Sequence, residues 1–435
     1  MKGTAALRRL VLARGAHIVV MGQGYVGLSL ACAAAEAGFQ VSGVDVDGER
    51  IDSLRHGELV VPGVPDRVFR EAVETARLTF SADPSDVAEA NIVFLCVPTP
   101  VRDTVPDLSF VGDASSDVAR HLRPGSLVVL ESTTYPGTTE EFVRPLLEAG
   151  GMSAERDFLL AYSPERIDPG NDEFDFREVP RIVGGLTPEA TGMATLVYEQ
   201  LVDKIVPLSS CRAAELAKLL ENTFRHVNIA LVNEMAILCH ETGIDVWEVI
   251  DGAASKPFGF MRFDPGPGVG GHCIPLDPTY LTWQIRRDAE RRFRIVEQAQ
   301  EINGEMPGWV ATRIADALNE AGKAMKGARI LVLGVAYKPD LGDVRESPVL
   351  RVMGHLVRRG AKVTFHDPFI ERVRANGWQL DRTALTTAAV RAADCVALLT
   401  PHTSYDLEWL SANATLVFDA RNAYASSRLA TVERL

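Results

Sequence analysis

The sequence lacks the long hydrophobic runs and the excess of positive charge that membrane-spanning and nucleic-acid-binding proteins carry. Its 435 residues include 45 Lys and Arg against 58 Asp and Glu, so the formal net charge is −13. Apolar runs are interrupted within roughly ten residues, whereas a membrane helix needs about 18 or more. Binding to nucleic-acid phosphates or anionic lipid needs a basic face. We therefore expect no membrane span, no nucleic-acid partner and a cytoplasmic location.

Cysteine and histidine are scarce and show no ligand spacing. The six cysteines include no C-x-x-C pair, and the nine histidines include no H-x-x-x-H pair. Both absences argue against a metal site, and the first also argues against a disulfide framework. Five cysteines lie mostly in apolar segments and are predicted only to pack. Cys273 differs, because it follows the glycine-rich segment Pro-Gly-Pro-Gly-Val-Gly-Gly-His at residues 265–272.

A glycine pattern near the start of the chain predicts a dinucleotide site. The β-branched run at 17–21 is followed by Gly-Gln-Gly-Tyr-Val-Gly at 22–27 and then by an alanine-rich segment. Gly22 permits the tight turn, Gly24 lets backbone N–H groups approach a pyrophosphate, and Gly27 lets the helix pack on the strand.

The next strand supports the same site and indicates which cofactor binds there. It ends at Asp45, eighteen residues beyond Gly27, where an acid accepts the ribose hydroxyls. This carboxylate would repel a 2′-phosphate, so NAD is predicted rather than NADP. A nicotinamide site together with Cys273 suggests covalent catalysis by a thiol during an oxidation.

Alternating strand and helix patterns predict an α/β chain in three parts. Two Rossmann-like, doubly wound parallel-sheet domains are expected at residues 1–207 and 311–435, the second without the glycine pattern. A long central helical segment is expected to join them at 208–310, with helices over 209–242 and 277–303.

The first central helix carries a polar pair, which a solvated polar face would explain equally well, and an apolar stripe suited to assembly. Lys218 and Asn222 are spaced i, i+4, so they project from one face of the helix. An apolar stripe is predicted to form a homodimer or higher homo-oligomer. The stripe consists of Leu216, Leu219, Leu220, Val227, Leu231 and Leu238.

Seven motifs in this order resemble the UDP-glucose/UDP-N-acetylhexosamine 6-dehydrogenases, from about residue 16 to 425. The glycine pattern, Cys-Val-Pro-Thr-Pro at 96–100 and Glu-Ser-Thr-Thr-Tyr-Pro-Gly-Thr at 131–138 come first. Ser-Pro-Glu-Arg at 163–166 and Glu-Leu-Ala-Lys-Leu-Leu-Glu-Asn at 215–222 follow. Gly-Gly-His-Cys-Ile-Pro-Leu-Asp at 270–277 and Lys-Pro-Asp-Leu-Gly-Asp-Val-Arg-Glu-Ser at 338–347 complete the set.

The resemblance implies a four-electron oxidation of a sugar C6 alcohol to a carboxylate, with two NAD and water. Lys218 and Asn222 would hold the developing oxyanion through an ordered water, and Lys218 would compensate charge near Cys273. Cys273 would capture the aldehyde as a thiohemiacetal that is oxidised to a thioester. Glu165 would position or deprotonate the hydrolytic water. The implied catalytic residues are Cys273, Lys218, Asn222, Glu165, Asp277 and Thr133.

The resemblance also assigns residues to two ligands. The implied NAD contacts are Gly22, Gly24, Tyr25, Val26, Gly27, Asp45, Arg50, Thr99, Thr134 and Arg345. The implied UDP-sugar contacts are Arg166, Lys218, Asn222, Phe263, Gly270, Lys338 and Arg421. Arginine suits a diphosphate, but an interdomain ion pair is an equal alternative for Arg345 and Arg421.

The loop at 163–171 departs from the UDP-glucose branch of the family. That branch usually reads S-P-E-F-L-R-E-G, whereas this chain has Pro169 in place of the second glutamate. The P-E-R-x-x-P-G form resembles the branch acting on N-acetylated sugars, and Asp168 with Asn171 resembles UDP-N-acetylglucosamine enzymes. UDP-N-acetylglucosamine is therefore the predicted substrate, with UDP-N-acetylmannosamine and UDP-glucose as alternatives.

Two other classes of protein compete with this interpretation. A β-hydroxyacid dehydrogenase also pairs a Rossmann domain with a K-x-x-x-N helix, but it transfers a single hydride and needs no thiol. A nucleotide-sugar binder without catalysis is the second alternative, and the presence of all the implied catalytic residues argues against it. NADH production separates the binder from the enzymes, and replacement of Cys273 separates the two enzyme classes.

Overall fold

The computed structural model divides the chain into two compact units. The first unit comprises Met1–Glu221 and Thr279–Arg287, and the second comprises Asn222–Pro278 and Asp288–Leu435. The structure describes residues 3–61, 64–102, 105–166, 176–271, 273–375, 377–425 and 431–435. The loop positions Asp168, Pro169 and Asn171, on which the choice of sugar was based, lie outside the described residues.

Buried β-branched and aliphatic runs form the strands of both units. Most strands are short, and those at the centre of each sheet are buried on both faces, as expected where helices cover a parallel sheet. The strands are β1 His17–Met21, β2 Gln40–Val44, β3 Leu78–Ser81, β4 Ile92–Leu95, β5 Val101–Arg102, β6 Val105–Pro106, β7 Leu127–Leu130, β8 Leu159–Tyr162, β9 Arg181–Gly185, β10 Ile205–Leu208, β11 Arg329–Leu333, β12 Lys362–His366, β13 Arg372–Ala375, β14 Trp378–Asp381, β15 Cys395–Leu398, β16 Val417–Asp419 and β17 Val432–Arg434.

Helices alternate with these strands and dominate the middle of the chain. A 3₁₀ turn at Pro84–Glu89 and a π-helical turn at Thr139–Val143 accompany them. The α-helices are α1 Thr4–Leu12, α2 Tyr25–Glu36, α3 Gly48–Arg55, α4 Asp66–Glu74, α5 Ser109–His121, α6 Arg144–Glu148, α7 Pro188–Tyr198, α8 Cys211–Thr242, α9 Val246–Ala254, α10 Asp277–Ala289, α11 Arg294–Glu320, α12 Pro348–Arg358, α13 Thr387–Ala392 and α14 Leu407–Asn413.

The first unit is built on an eight-stranded sheet in the order β10-β9-β8-β7-β4-β1-β2-β3. Six strands run parallel, but β9 pairs antiparallel with β8, and β10 runs parallel to β9. The predicted fold class is confirmed, with the difference that this edge of the sheet reverses direction. Side chains such as Ile18, Phe94 and Val129 are completely buried in its core.

The second unit holds a smaller sheet in the order β12-β11-β15-β16-β17. All of its strand pairs are parallel, and β13 and β14 form a separate antiparallel hairpin. Residues of α8, α9, α11 and α12 contribute with this sheet to one core that includes Trp247, Ile314 and Phe365. The second Rossmann-like sheet is therefore confirmed.

The central helices differ from the prediction in one place. Helix α8 agrees with the expected helix over 209–242, but the expected helix over 277–303 is wrong because the chain forms two helices there. Helix α10 ends at Ala289, Glu290 adopts a left-handed conformation with φ of 50°, and α11 begins at Arg294. No proline or glycine marks this break in the sequence.

Three further features bear on function. Of the six cysteines, Cys273 is exposed and the other five are buried, which confirms that those five pack. No group of His, Cys, Asp or Glu within the described ranges could hold a metal ion. No helix in the described part of the chain is both long and apolar enough to cross a membrane.

Candidate active site

The glycine turn after β1 has the geometry of a phosphate cradle. Gly22 has φ of 93°, and a Cβ there would lie 2.5 Å from the Cys96 carbonyl oxygen. A Cβ on Gly27 would lie 1.8 Å from the Gly22 oxygen, so α2 packs directly on the turn. A Cβ on Gly24, in contrast, would meet nothing within 4 Å, and among the described residues no side-chain cap bonds to the N–H groups at the start of α2, whose first turn contains Tyr25 and Val26. These groups fit an anionic ligand at the helix start.

Asp45 lies beside this turn at the end of β2. Its Oδ2 accepts from the Gln23 N–H at 2.6 Å, and its Oδ1 accepts from the Asp47 N–H at 2.9 Å. Arg50 donates from Nη1 to Asp45 Oδ2 at 2.8 Å. Arg50, which was assigned to NAD, therefore neutralises the very carboxylate that was assigned to the ribose. The turn and the acid fit the adenosine half of NAD.

The threonines assigned to NAD and to catalysis follow the ends of β4 and β7. Thr99 donates from Oγ1 to the Thr133 carbonyl at 2.8 Å, so the two strand ends are tied together. The Tyr280 hydroxyl donates to the Thr99 carbonyl. Thr134 is completely buried, and its Oγ1 has no hydrogen-bond partner among the residues that the structure describes.

Glu165 follows β8 and is almost completely buried. Its Oε1 accepts from the Arg166 N–H at 2.6 Å, and its Oε2 accepts from Arg181 Nη2 at 2.7 Å. Arg166, which was assigned to the substrate, pairs through its guanidinium with Glu221 at 2.7 Å. The structure therefore gives Arg166 a partner within its own unit.

Helix α8 carries Lys218, and Glu215 anchors this helix to the segment that follows β7. The Glu215 carboxylate accepts from the Gly137 N–H at 2.6 Å, the Thr139 N–H at 2.9 Å and the Thr139 hydroxyl at 2.7 Å. Lys218 follows one turn later and is 8 % exposed. Its ammonium group makes no hydrogen bond or ion pair with any residue in the described part of the chain. This buried ammonium group is suited to an anionic or developing oxyanion ligand.

In the second unit, three of the expected catalytic residues lie close together. Asn222 Nδ2 donates to Asp277 Oδ2, and both side chains are buried. The Asp277 N–H donates to the Cys273 carbonyl at 2.8 Å, and the Leu276 N–H donates to the same oxygen at 3.2 Å. The start of α10 thus holds the exposed Cys273 next to the Asn222–Asp277 pair.

The glycine-rich segment before Cys273 is fixed by buried amides. Asn233 Oδ1 accepts from the Gly266 N–H at 3.0 Å, and Asn233 Nδ2 donates to Asn303 Oδ1 at 2.9 Å. A Cβ on Gly270 would lie 2.6 Å from the Tyr337 Cβ, which explains why glycine is required there. The segment therefore packs tightly on the loop after β11.

That loop and its neighbours hold the remaining second-unit residues. Lys338 lies in the loop, and Phe263 packs against Phe224 with ring centroids 5.8 Å apart. Arg421 is half-buried beside Gly266, whose Cβ would lie 2.4 Å from Arg421 Nη1. Burial lowers the pKa of Arg421 to about 10. A guanidinium at this position is suited to a phosphate group.

Arg345 is a cation that lies near Cys273 within the second unit. Its guanidinium donates to both oxygens of Asp343, at 2.9 and 2.6 Å. The hydrogen bond to Asp343 raises the pKa of Arg345, and Cys273 contributes in the same direction. Lys218 was the residue predicted to carry this charge, and Arg345 was predicted to contact NAD.

Sequence reasoning missed several residues that hold the site in place. Arg181, Tyr198 and Asn233 have no solvent exposure, and each bonds to residues far away in the chain. Arg181 gave one signal, because a charged residue at the start of the buried strand β9 needs a buried partner. The amides of Asn233 and Asn303 gave none, since asparagines on helices are ordinarily solvated.

The two units together define an α/β dehydrogenase with a dinucleotide turn on one sheet and a thiol in a glycine-rich segment of the other unit. Family models match three consecutive segments of the chain. They describe the NAD binding domain at residues 16–202, the central domain at 212–305 and the UDP binding domain at 331–426. The chain belongs to the UDP-glucose/GDP-mannose dehydrogenase family, and it is an NAD-dependent nucleotide-sugar dehydrogenase.

Individual relatives cover nearly the whole chain. The chain is 35 % identical over 414 residues to the UDP-N-acetyl-D-mannosamine dehydrogenase of Pyrococcus horikoshii, covering 93 % of this chain and 95 % of the relative. It is 35 % identical over 402 residues to the enzyme of the same name from Salmonella typhi, covering 89 % and 94 %. The predicted preference for UDP-N-acetylglucosamine finds no support in these names.

Solved structures agree with this assignment. The structure of UDP-D-ManNAc dehydrogenase from Pyrococcus horikoshii superposes with a TM-score of 0.87 at 33 % identity, covering 96 % of this chain and 98 % of the other. A UDP-glucose dehydrogenase from Pyrobaculum islandicum gives a TM-score of 0.83 at 27 % identity, covering 96 % and 97 %. Family membership decides against the β-hydroxyacid dehydrogenase alternative, because the matched segments include the UDP binding domain at residues 331–426.

Proposed function

We propose that the protein oxidises the C6 alcohol of UDP-N-acetyl-D-mannosamine to the carboxylate in a four-electron reaction. The observation that carries this proposal is the exposed Cys273, whose backbone is held by the N–H of Asp277 while Asp277 bonds to Asn222. A thiol in this position allows an aldehyde to be retained covalently between two oxidations.

The first oxidation needs a cation and a hydrogen-bond donor for the alcohol oxygen. The Gly22–Gly27 turn and Asp45 would hold NAD, which would supply the hydride acceptor for both oxidations. Lys218 and Asn222 share one face of α8, and both are more than nine-tenths buried. The ammonium and the amide stabilise the negative charge that develops on the oxygen as its proton leaves.

Cys273 then retains the aldehyde. Its sulfur forms a bond to the aldehyde carbon, and the carbonyl oxygen takes up a proton to give a thiohemiacetal. Loss of a hydride from carbon and of a proton from oxygen converts this adduct to a thioester on Cys273. Arg345, in electrostatic contact with Cys273, favours the thiolate that this step requires.

Hydrolysis releases the product. A water molecule adds its oxygen to the thioester carbon, the C–S bond breaks, and sulfur leaves as the thiolate. Glu165 takes the proton from water, and this proton then returns to solvent or to the thiolate. Thr133 and Asp277 orient the groups around the water. General-base assistance of this kind contributes roughly 100-fold or more to a rate.

The choice of sugar rests on the relatives. Those reported above at 35 % identity over most of the chain are named for UDP-N-acetyl-D-mannosamine. The loop that favoured UDP-N-acetylglucosamine lies at residues outside the described ranges, so no contact in the structure supports that alternative. The mannosamine derivative is therefore the substrate we propose, with UDP-N-acetylglucosamine as the alternative.

The test is NADH release by purified protein, followed at 340 nm with four UDP-sugars offered separately. The sugars are UDP-N-acetylmannosamine, UDP-N-acetylglucosamine, UDP-glucose and UDP-galactose. We expect two NADH per sugar with UDP-N-acetylmannosamine and none with the other three sugars. The same stoichiometry with another sugar would retain the mechanism and overturn the substrate, and one NADH per sugar would contradict the mechanism.

We further propose that a second copy of the chain covers one face of α8. Five apolar side chains spaced along this helix are about half exposed: Leu216, Leu220, Phe224, Leu231 and Leu238. Such a stripe on one helix is suited to packing on its own copy around a two-fold axis.

Free cysteines that are buried suit a reducing compartment, which supports the predicted cytoplasmic location.

Replacing an exposed leucine tests the dimer. Leu220→Glu places a charge at a position that is 64 % exposed in the single chain, so dissociation to a monomer is expected by light scattering. Ile295→Glu, at a residue that is 57 % exposed on α11, is the matched control and should leave the assembly unchanged. A dimer that survives Leu220→Glu would contradict the proposed interface.

A further inference from the structure

A completely buried arginine lies against the carboxylate that we assign to water activation. Arg181 has no exposed surface, and its Nη2 donates to Glu165 Oε2 at 2.7 Å. Its Nη1 donates to Glu131 Oε2 at 3.3 Å and to the Pro164 carbonyl at 3.2 Å. One guanidinium therefore bridges two carboxylates and the backbone that precedes Glu165.

The reversed edge of the first sheet explains how Arg181 reaches this place. Tyr162 at the end of β8 lies opposite Gly184 in the antiparallel pair with β9. Because β9 runs in the opposite direction, its first residue, Arg181, extends beyond the carboxyl end of β8. Glu131 and Glu165 follow the carboxyl ends of β7 and β8. A strand parallel to β8 would have its last residue there and not its first.

The charges in this cluster are not balanced one to one. Glu131 is completely buried and accepts from the Tyr198 hydroxyl on α7. Burial raises the pKa of Glu131 to about 7, although Arg181 opposes the rise. Burial alone would lower the pKa of Arg181, but Glu165 and Glu131 together raise it. The Cys96 thiol at the end of β4 faces the same three charges, and burial raises its pKa.

We propose that Arg181 is a positioning residue for Glu165, and that Glu131 with Tyr198 holds Arg181 and shares its charge. This inference rests on the proposed role of Glu165 in thioester hydrolysis. Arg181 Nη2 and the Arg166 N–H bind the two different oxygens of Glu165, so the plane of the carboxylate is set from both sides. Glu131 accepts from Arg181 Nη1 while Glu165 accepts from Nη2, so the guanidinium that orients Glu165 is shared with a second carboxylate.

Arg181→Lys tests this role because lysine keeps the charge but cannot bridge two carboxylates with a planar fork. Two NADH are formed before the thioester is hydrolysed. Slow hydrolysis therefore predicts a burst of two NADH per subunit, followed by a steady state roughly 100-fold slower than in the unchanged enzyme. Mass spectrometry of the quenched enzyme should show the acyl group on Cys273. The substrate used is UDP-N-acetylmannosamine, or whichever of the four UDP-sugars is turned over.

The second unit offers a matched control. Arg313 is 5 % exposed, and its Nη2 donates to Glu433 Oε1 at 2.7 Å, the same distance as in the Arg181–Glu165 pair. Arg313→Lys should leave both the burst and the steady-state rate unchanged. A purely structural role for Arg181 predicts a smaller burst from fewer active subunits, with an unchanged steady-state rate per active subunit, and that result would overturn the proposal.

Glu131→Gln provides a second variant if Arg181→Lys does not fold. The amide keeps the shape and can still accept from Tyr198, but it no longer shares the charge of Arg181. The acidic limb of the pH–rate profile for hydrolysis should move to lower pH, because Arg181 then acts on Glu165 alone. An unmoved limb would contradict the proposal. Absence of any Cys273 adduct in the unchanged enzyme and all variants would instead overturn the proposed function.

Discussion

In both sheets of this protein a central strand ends in a glycine turn, but the two turns have different roles. Gly22 follows β1 with φ of 93°, and Gly334 follows β11 with φ of 76°. Each donates its N–H to the last residue of the neighbouring strand, β2 or β12. In each unit an aspartate after that strand, Asp45 or Asp367, accepts the N–H that follows the glycine, at 2.6 and 2.8 Å.

The two aspartates differ in how fully their oxygens are used. Asp367 is completely buried and accepts from the N–H groups of Val335, Ala336, Phe369 and Ile370. His402 Nε2 lies 3.0 Å from its Oδ2, and since the His402 Nδ1 accepts from the Asp340 N–H, Nε2 is the donor. Asp45 is 7 % exposed, and its carboxylate is bound by two N–H groups and by Arg50.

A shared topology does not make both glycine turns cofactor sites. In the first unit α2 begins three residues after Gly22, so helix N–H groups and the acid face one ligand. In the second unit, thirteen residues separate Gly334 from α12, which begins at Pro348. This loop carries Tyr337 and Arg345 against the segment before Cys273. Asp367 therefore stabilises that loop by accepting hydrogen bonds from the N–H groups of Val335 and Ala336.

The largest effect is expected from adding a side chain at the two glycine turns. A Cβ on Gly22 would lie 2.5 Å from the Cys96 oxygen, and one on Gly334 would lie 2.1 Å from the Thr400 oxygen. Gly22→Ala and Gly334→Ala should each lower the free energy of unfolding by roughly 3 kcal/mol or more, since backbone must shift and φ is strained. Denaturant titration of the intact protein measures this.

Gly57→Ala separates strain from collision. Gly57 has φ of 76°, but a Cβ there meets nothing within 4 Å. Its replacement should cost only about 1 kcal/mol. Equal losses at Gly57 and Gly334 would show that the close approach of the strands is not what requires glycine.

A smaller, pH-dependent effect is expected at Asp367. Burial alone would raise its pKa, but hydrogen bonds from His402 and from the N–H groups of Val335 and Phe369 lower it to about 2. The folded pKa lies below the unfolded value, so the stabilisation is complete above about pH 4 and is lost as pH falls toward 2. Asp367→Asn should therefore cost roughly 2 to 3 kcal/mol near neutral pH and progressively less below pH 4.

Thermal unfolding of the unchanged and Asp367→Asn proteins between pH 3 and pH 7 measures this difference. Their melting temperatures should converge as the solution becomes more acidic. A difference that stays constant over this range would mean that the carboxylate charge of Asp367 does not contribute to stability.

The smallest of these effects concerns Asp45. Asp45→Asn should raise the KM for NAD about tenfold, because a charged hydrogen-bond acceptor for the ribose is lost. The melting temperature should change less than in Asp367→Asn. Asp52→Asn removes an exposed charge on the nearby helix α3 and is the control. An unchanged KM would remove Asp45 from the ribose site.

Local sequence patterns correctly predicted the strand ends and glycine turns of both sheets. The glycine turn, β2 with Asp45, and the strand that ends before Gly334 all depend on residues within a few positions of each other. The same holds for α8, whose sequence is continuously helical. The break between α10 and α11 could not be predicted, because the residues around Glu290 are good helix formers and the break depends on tertiary packing.

Contacts between distant residues account for the other features that were missed. Arg181 bonds to Glu131 and Glu165, which lie 50 and 16 residues away, and this requires the reversal of β9. Arg345 lies by Asp343 and Cys273 in the second unit, a placement that the motif did not reveal, and its contact with NAD stays a prediction. The sequence contains no periodicity that reports such contacts.

The chemical state of Cys273 during turnover tests the covalent mechanism. The enzyme is mixed with NAD and UDP-N-acetylmannosamine, quenched in acid within the first turnover, and digested for mass spectrometry. The peptide containing Cys273 should carry the sugar acid as a thioester, two NADH should form per sugar, and Cys273→Ala should form no adduct. An unmodified Cys273 in enzyme that produces two NADH per sugar would contradict the covalent mechanism.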